Sequence, residues 1–234
     1  MVAATLVAAC TTVIVVRASD PYLDQAIGSV LNQTLQPERV VVVINGTLDS
    51  SCQSMSVVQS FGSRVQGVLL EELGLVPALN CGISGVTTPY ISFLDSDDLW
   101  LEDKQEKQLA VLTAHPEIDA VNGVVTNFRE GSDGTKVFLN SAQASALGAV
   151  TFRSDVFQRF GAFDFSSTHF THYFRWYSQA KHNGLVVHRS DGAVLLRRIH
   201  ADNGWVRNRE RGLSELHGEL RSLMRGKRAA RKTR

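Results

Sequence analysis

The chain has 234 residues, 44% of them hydrophobic and 20% charged, with a formal net charge of +1. That is an ordinary globular composition, long enough for one substantial core or two small ones, and a charge so near zero gives no global field pointing to nucleic acid. Three scattered cysteines, Cys10, Cys52 and Cys81, lack metal-ligand spacing; they suggest free thiols in a reducing compartment, and the expected location is the cytoplasm.

In chain order, Met1 to Val16 carries no charge, and Val7-Ala8-Ala9-Cys10 looks like a lipoprotein cleavage site. No basic residue precedes the apolar stretch, which is short for a signal core and for a membrane span. Thr11 to Val16 therefore reads as a buried parallel strand, β-branched through Thr12-Val13-Ile14-Val15-Val16 as a strand covered on both faces should be. Tyr22 to Gln33 places Leu23, Ala26, Ile27, Val30 and Leu31 at helical spacing. Val40 to Ile44 is a second strand closed by the turn signal Asn45-Gly46. Asp49 to Phe61 reads as a helix, Val65 to Leu70 as a third strand, and Gly74 to Ser84 as a further helix. Tyr90 to Leu94 is the fourth strand. This alternation predicts a parallel sheet with helices on its faces. Trp100 to His115 then reads as a long helix, Ile118 to Phe128 as a strand and Arg129 to Lys136 as an exposed loop or hairpin turn. The second half is less regular: a strand at Gly148 to Arg153, a short helix at Asp155 to Phe160, an aromatic-rich helix at Phe170 to His182 capped by Gly184, and strands at Val186 to His188 and Ala193 to Ile199. Leu213, Leu216, Leu220 and Leu223 form one stripe of a final helix over 206–224, and 225–234 reads as a basic, disordered, solubilising tail. No nucleic-acid partner is expected and no stretch is long and apolar enough for a transmembrane segment; peripheral membrane contact through the final helix and tail stays open.

The densest chemistry stands at Asp95-Ser96-Asp97-Asp98, where an apolar strand ends in three carboxylates. Carboxylates at the carboxyl end of a parallel strand gather on the rim where open sheets bind ligands. Like charges so close call for a cation or hydrogen-bond donors between them, and hard ions such as Mg2+ or Mn2+ take carboxylate oxygens while keeping positions for phosphates. One reading is a metal site that holds a diphosphate. The other is an acidic turn capping the next helix, with Asp98 or Asp103 at its start.

The order of motifs resembles the family 2 glycosyltransferases of the GT-A fold. Tyr22 to Gln33 resembles YLxxAIxSVLxQ, Val42 to Asp49 resembles VVDDGSTD, and Gly74 to Gly82 resembles GxxxARNxG. Phe93 to Trp100 is close to FLDADDLW, Phe160 to Asp164 looks like GGFD, and Arg198-Ile199-His200 with Asn203 looks like RxHxxN. The resemblance covers roughly residues 11 to 205, and the order and spacing of the set are more specific than any one motif. It implies an α/β GT-A fold in a single domain over 1–205, with a Rossmann-like, mostly parallel sheet and helices on both faces. Residues 11–100 are then the nucleotide-binding half and 101–205 the acceptor half. It further implies a metal-dependent, inverting glycosyltransferase that uses a nucleotide diphosphate sugar, a UDP-sugar first of all, with Mg2+ or Mn2+ and an unnamed acceptor. The family's metal position corresponds to Asp97. Asp95 is implied to contact donor ribose or metal water, and Asp98 to be a helix cap or a supporting group. His200 reaches the metal or the phosphates, or is a hydrogen-bonded structural residue.

The chain departs from the family pattern at four places. Val15-Val16-Arg17-Ala18 replaces Pro-Thr-Tyr-Asn, which leaves Val16 and Arg17 to contact the nucleoside, with Arg17 on a phosphate or at the surface. Ile44-Asn45 replaces the paired Asp of the second turn, though Asn45 still offers an acceptor oxygen to a base. Leu79 replaces an Arg near the diphosphate. Thr171-His172 replaces the usual Glu-Asp, which makes His172 the candidate general base, with His169 and Asp164 as alternates. These losses also fit a degenerate member that acts as a binding or scaffold subunit. A nucleotidyltransferase ranks lower, because Arg17 to Asp20 has no Gly-rich phosphate loop.

Overall fold

The computed structural model describes residues 7–143, 146–164 and 171–201, with positions 210, 213–215, 217, 218 and 221 beyond them. β1 (Val7–Arg17), α1 (Leu23–Leu31), β2 (Gln36–Asn45), α2 (Leu48–Ser60), β3 (Val65–Leu70), α3 (Leu75–Ser84) and β4 (Tyr90–Asp95) alternate as the pattern predicts. β1 pairs in parallel with β2 and β4, and β2 pairs in parallel with β3. The chain winds outward from β1 to β3, then crosses back to β4 on the other side of β1. That reversal opens a crevice beyond the carboxyl ends of β1 and β4, the place where open α/β sheets bind ligands. Arg17 and Asp95 end those two strands, and Asn45 pairs with Arg17 at the end of β2.

The rest extends the same sheet. β5 (Leu99–Trp100), α4 (Lys104–Ala114), β6 (Ala120–Glu130), β7 (Lys136–Ala142), β8 (Val150–Arg153), α5 (Val156–Arg159), α6 (His172–His182) and β9 (Val187–Arg198) follow. β8 runs antiparallel to β4 and to β6, β9 runs parallel to β6, and β5 pairs antiparallel with β9. The described residues thus form one nine-stranded sheet, ordered β3-β2-β1-β4-β8-β6-β9-β5 with β7 on β6. It is the mixed, helix-covered sheet of a GT-A fold, parallel in its first half.

Alternation in β1 and β2 sends successive side chains to opposite faces. Val13, Val15, Val41 and Val43 join α3, α5 and α6 in one cluster, while Ile14, Val16, Val40, Val42 and Ile44 join α1 and α2 in the other. Each buried Leu or Ile there contributes about 1.5–3 kcal/mol. α3 sits directly on β1 because Gly82 has no side chain: a Cβ there would lie 2.4 Å from a Val13 methyl.

Two expectations change, and one unassigned stretch gains a strand. The helix read from Trp100 begins only at Lys104. Leu99 and Trp100 instead pair with Leu196 and Leu195; the Trp100 amide donates to Ser29 Oγ at 3.1 Å and its indole N–H to the Gly148 carbonyl at 2.9 Å. These tertiary bonds displace the helical ones that local sequence favours. The strands read at Val186–His188 and Ala193–Ile199 are one strand, β9, which bulges in its polar middle: Arg189 pairs with Asn122 and Ala193 with Val124, so Ser190 to Gly192 are extra residues in the ladder. β7, exposed along its length, forms after Lys136 in a stretch to which the sequence reading gave no element, and pairs antiparallel with β6. The described positions from 210 to 221 are helical, within the expected 206–224 helix, but Leu213 is exposed there. Leu216, Leu220, Leu223, Asn203, His169 and the tail 225–234 lie outside the described residues. Among the described residues no helix is long and apolar enough to cross a membrane.

Candidate active site

The acidic turn is a tertiary hub. It is closed by the Asp98 amide on the Asp95 carbonyl at 3.2 Å. Asp95 is exposed, Asp97 half-buried and Asp98 buried. The Ser96 hydroxyl donates to Asp20 Oδ2 at 2.7 Å, and the other Asp20 oxygen accepts the Tyr22 amide at 2.8 Å, which ties the turn to the start of α1. Asp98 does not cap a helix: its Oδ1 accepts the Arg198 amide at 2.9 Å and so anchors the end of β9. Asp103 occupies the N-cap of α4 without a side-chain cap bond.

His200, two residues past β9, reaches back to the turn, with Nε2 2.9 Å from Asp97 Oδ2. Its ring leans on Tyr22 at a centroid distance of 5.4 Å. Burial raises the Asp97 carboxyl above its ordinary value, and the Asp95 and Asp20 carboxylates raise it further, while the His200 hydrogen bond opposes them. Burial, then Asp97 and Asp95, push Asp98 the same way. The rim therefore concentrates negative charge. No group of three His, Cys, Asp or Glu side chains among the described residues is arranged as a metal cage. The donor chemistry suits a hard divalent ion, which takes carboxylate oxygens of this kind.

The nucleoside-side candidates behave differently. Arg17 is exposed at the end of β1. Val16 is fully buried in the α1–α2 core, its side chain packed away from the rim. Asn45 is committed to the fold: Nδ2 donates to the carbonyls of Leu70 at 3.2 Å and Glu72 at 2.6 Å, and Oδ1 accepts the Gly74 amide at 2.8 Å. One side chain thereby pins the β3–α3 loop, which turns at Gly74 with φ +138°, a conformation that favours glycine. The Asn45 oxygen offered to a base in the sequence reading thus has one lone pair in use. Leu79 points into the core.

His172 opens α6, half-buried, with its ring edge-on to Phe163 at 5.6 Å. Phe163 is bracketed by Asn80, which donates to its carbonyl at 2.8 Å and accepts its amide at 3.0 Å. Phe157 stacks on Trp176 at 5.1 Å, and the Trp176 indole donates to the Gly161 carbonyl at 2.7 Å. Asp164 pairs with Arg175 at 3.4 Å. His172 therefore sits on a rigid aromatic block, while Asp95, Asp97 and His200 form the rim cluster. Sequence reasoning gave no role to Asp20, Gln25, Glu130 or Arg198. Tyr22 and Arg198 were visible inside motifs; Asp20, Gln25 and Glu130 carried no local signal.

The family model for glycosyl transferase family 2 matches residues 11–185. The chain belongs to this family. Among curated relatives, the amylovoran biosynthesis glycosyltransferase AmsE of Erwinia amylovora is 31% identical over 109 residues, 46% of this chain and 41% of that one. The putative teichuronic acid biosynthesis glycosyltransferase TuaG of Bacillus subtilis is 33% identical over 89 residues, 38% of this chain and 35% of that one. The chain thus spans less than half the length of these relatives. S. aureus TarS 1–349, crystallised in complex with UDP-GlcNAc, aligns with a TM-score of 0.62 at 17% identity over 83% of this chain and 59% of that one. At that identity the likeness is one of fold.

Proposed function

We propose that this family 2 domain transfers a sugar from a nucleoside diphosphate sugar, UDP-linked, to an acceptor hydroxyl with inversion at the anomeric carbon. The observation that carries the reading is the Asp95–Asp97 turn with His200 upon it, set at the switch point between β1 and β4. In this reading Asp97 and Asp95, with His200 beside them, hold Mg2+ or Mn2+. Such an ion supplies charge neutralisation for the departing diphosphate. Arg17 and the Val16 backbone border the nucleoside, and Asn45 keeps the adjoining loop in place. The acceptor oxygen bonds to the anomeric carbon as the bond to the diphosphate breaks; the bonding pair leaves on the diphosphate and the hydroxyl proton passes to His172. The acceptor half begins after Trp100, and the cytoplasm is the proposed site of action.

The test is hydrolysis of UDP-sugars by the purified protein with Mn2+, together with UDP binding by calorimetry. Asp97→Asn is expected to lower turnover about a hundredfold, the loss typical of a group facing developing charge, without lowering thermal stability. His172→Ala is expected to lower kcat more than UDP affinity. UDP binding with no turnover under any condition would instead favour the binding-subunit reading, and silence toward UDP, GDP, dTDP and CDP would sink the proposal.

A further inference from the structure

Arg198 ends β9 with its side chain 1% exposed, a place where a cation stays only if its donors are matched. Its three guanidinium nitrogens point to three different elements. Nε donates to the Asp97 carbonyl at 3.0 Å, Nη2 to Gln25 Oε1 on α1 at 2.7 Å, and Nη1 pairs with Glu130 at the end of β6. The guanidinium carbon lies over two rings, 4.0 Å from the Tyr22 centroid and 4.8 Å from that of Phe128. Its backbone amide meets Asp98. Arg198 thus grips the acidic turn twice, at the main chain of Asp97 and at the side chain of Asp98. The Tyr22 ring that covers it also supports the His200 ring.

We infer that Arg198 is the positioning residue that sets the geometry of the Asp97–His200 pair. It sets the carboxylate through the Asp97 carbonyl and the imidazole through Tyr22 and the end of β9. A planar fork is required, because a lysine ammonium cannot serve three directions in one plane and lie against two rings. Glu130 and Gln25 hold the fork from the side away from the turn, so they act on the pair only through Arg198.

The inference rests on the proposed UDP site, and the experiment separates the two. UDP affinity is measured by calorimetry with Mn2+, and folding by circular dichroism and thermal melts. Loss of a partner behind a ligand-holding group typically weakens binding about 10-fold to 100-fold, and Arg198→Ala is expected to do so. Arg153→Ala is the control: that guanidinium donates to the carbonyls of Ile118 and Leu112 at the far end of the sheet, and its loss should lower the melting temperature with UDP affinity intact. Folded Arg198→Ala protein with wild-type UDP affinity overturns the inference. Should Arg198→Ala not fold, the double variant Gln25→Ala/Glu130→Gln decides: weakened UDP binding supports the fork, and unchanged binding overturns it. Wild-type protein that ignores UDP refutes the functional reading on which the inference stands.

Discussion

Ser92 and Asp95 share one strand, β4, yet they belong to opposite kinds of polar cluster. Asp95 opens the rim, where Asp97 faces His200 and Arg198 faces Glu130. Titratable side chains there meet one another, and Arg198 and Glu130 set charge against charge. Ser92 belongs to a buried network. Its hydroxyl lies 2.9 Å from Thr151 Oγ1, which also accepts Lys104 Nζ at 3.0 Å and donates to Gln108 Oε1 at 2.6 Å. Lys104 sits 4.0 Å over the Trp100 ring. Its surroundings are hydroxyls, amides and a ring, and burial pushes its ammonium down to about 7. Neutral dipoles satisfy hydrogen bonds in a core but compensate a charge poorly. In the proposed function the rim meets the ligand, while the interior network holds β4, β8 and α4 together.

The largest way to break this contrast is Thr151→Val. It strips partners from Lys104, Ser92 and Gln108 at once, and is expected to cost about 2–3 kcal/mol in a denaturant melt with UDP affinity unchanged. A loss of UDP binding comparable to that expected of Arg198→Ala would show that the clusters act as one. Lys104→Met removes the buried ammonium and keeps the stem, and is expected to raise stability by about 1–2 kcal/mol. The smallest effect is the pH slope. The folded Lys104 loses its proton near 7, whereas the unfolded side chain holds it to 10.5. The unfolded state therefore binds more protons above pH 7, and stability rises with pH by at most about 1.4 kcal/mol per unit. Burial raises the Cys10 thiol from 9.0 to about 11, so above pH 9 the folded state keeps a proton that the unfolded state loses, and the slope flattens. Melts between pH 7 and 9 should show the rise in wild-type protein and a smaller one in Lys104→Met.

The first half of the fold was legible because its signals are local. A β-branched run, a helical stripe at Leu23, Ala26, Ile27, Val30 and Leu31, and a turn at Asn45-Gly46 each act over a few residues. The limits expected for β3 match those observed. The second half was less legible because its strands are chosen by neighbours. Trp100 reads as the start of a helix in sequence, yet Leu99 and Trp100 become strand by pairing with β9.

The candidate site divides along the same line. Sequence alone placed three carboxylates at the end of a strand in a parallel sheet, because alternation and strand propensity are properties of the chain. Only the tertiary structure brought residues 97 and 200 together, turned Asp98 from a helix cap into an anchor for β9, and committed Asn45 to the Gly74 loop. It also drew Gln25, Glu130 and Arg198 around the turn. Those pairings join residues up to 173 positions apart, and no local propensity encodes contacts across such separations: packing of the whole sheet decides them.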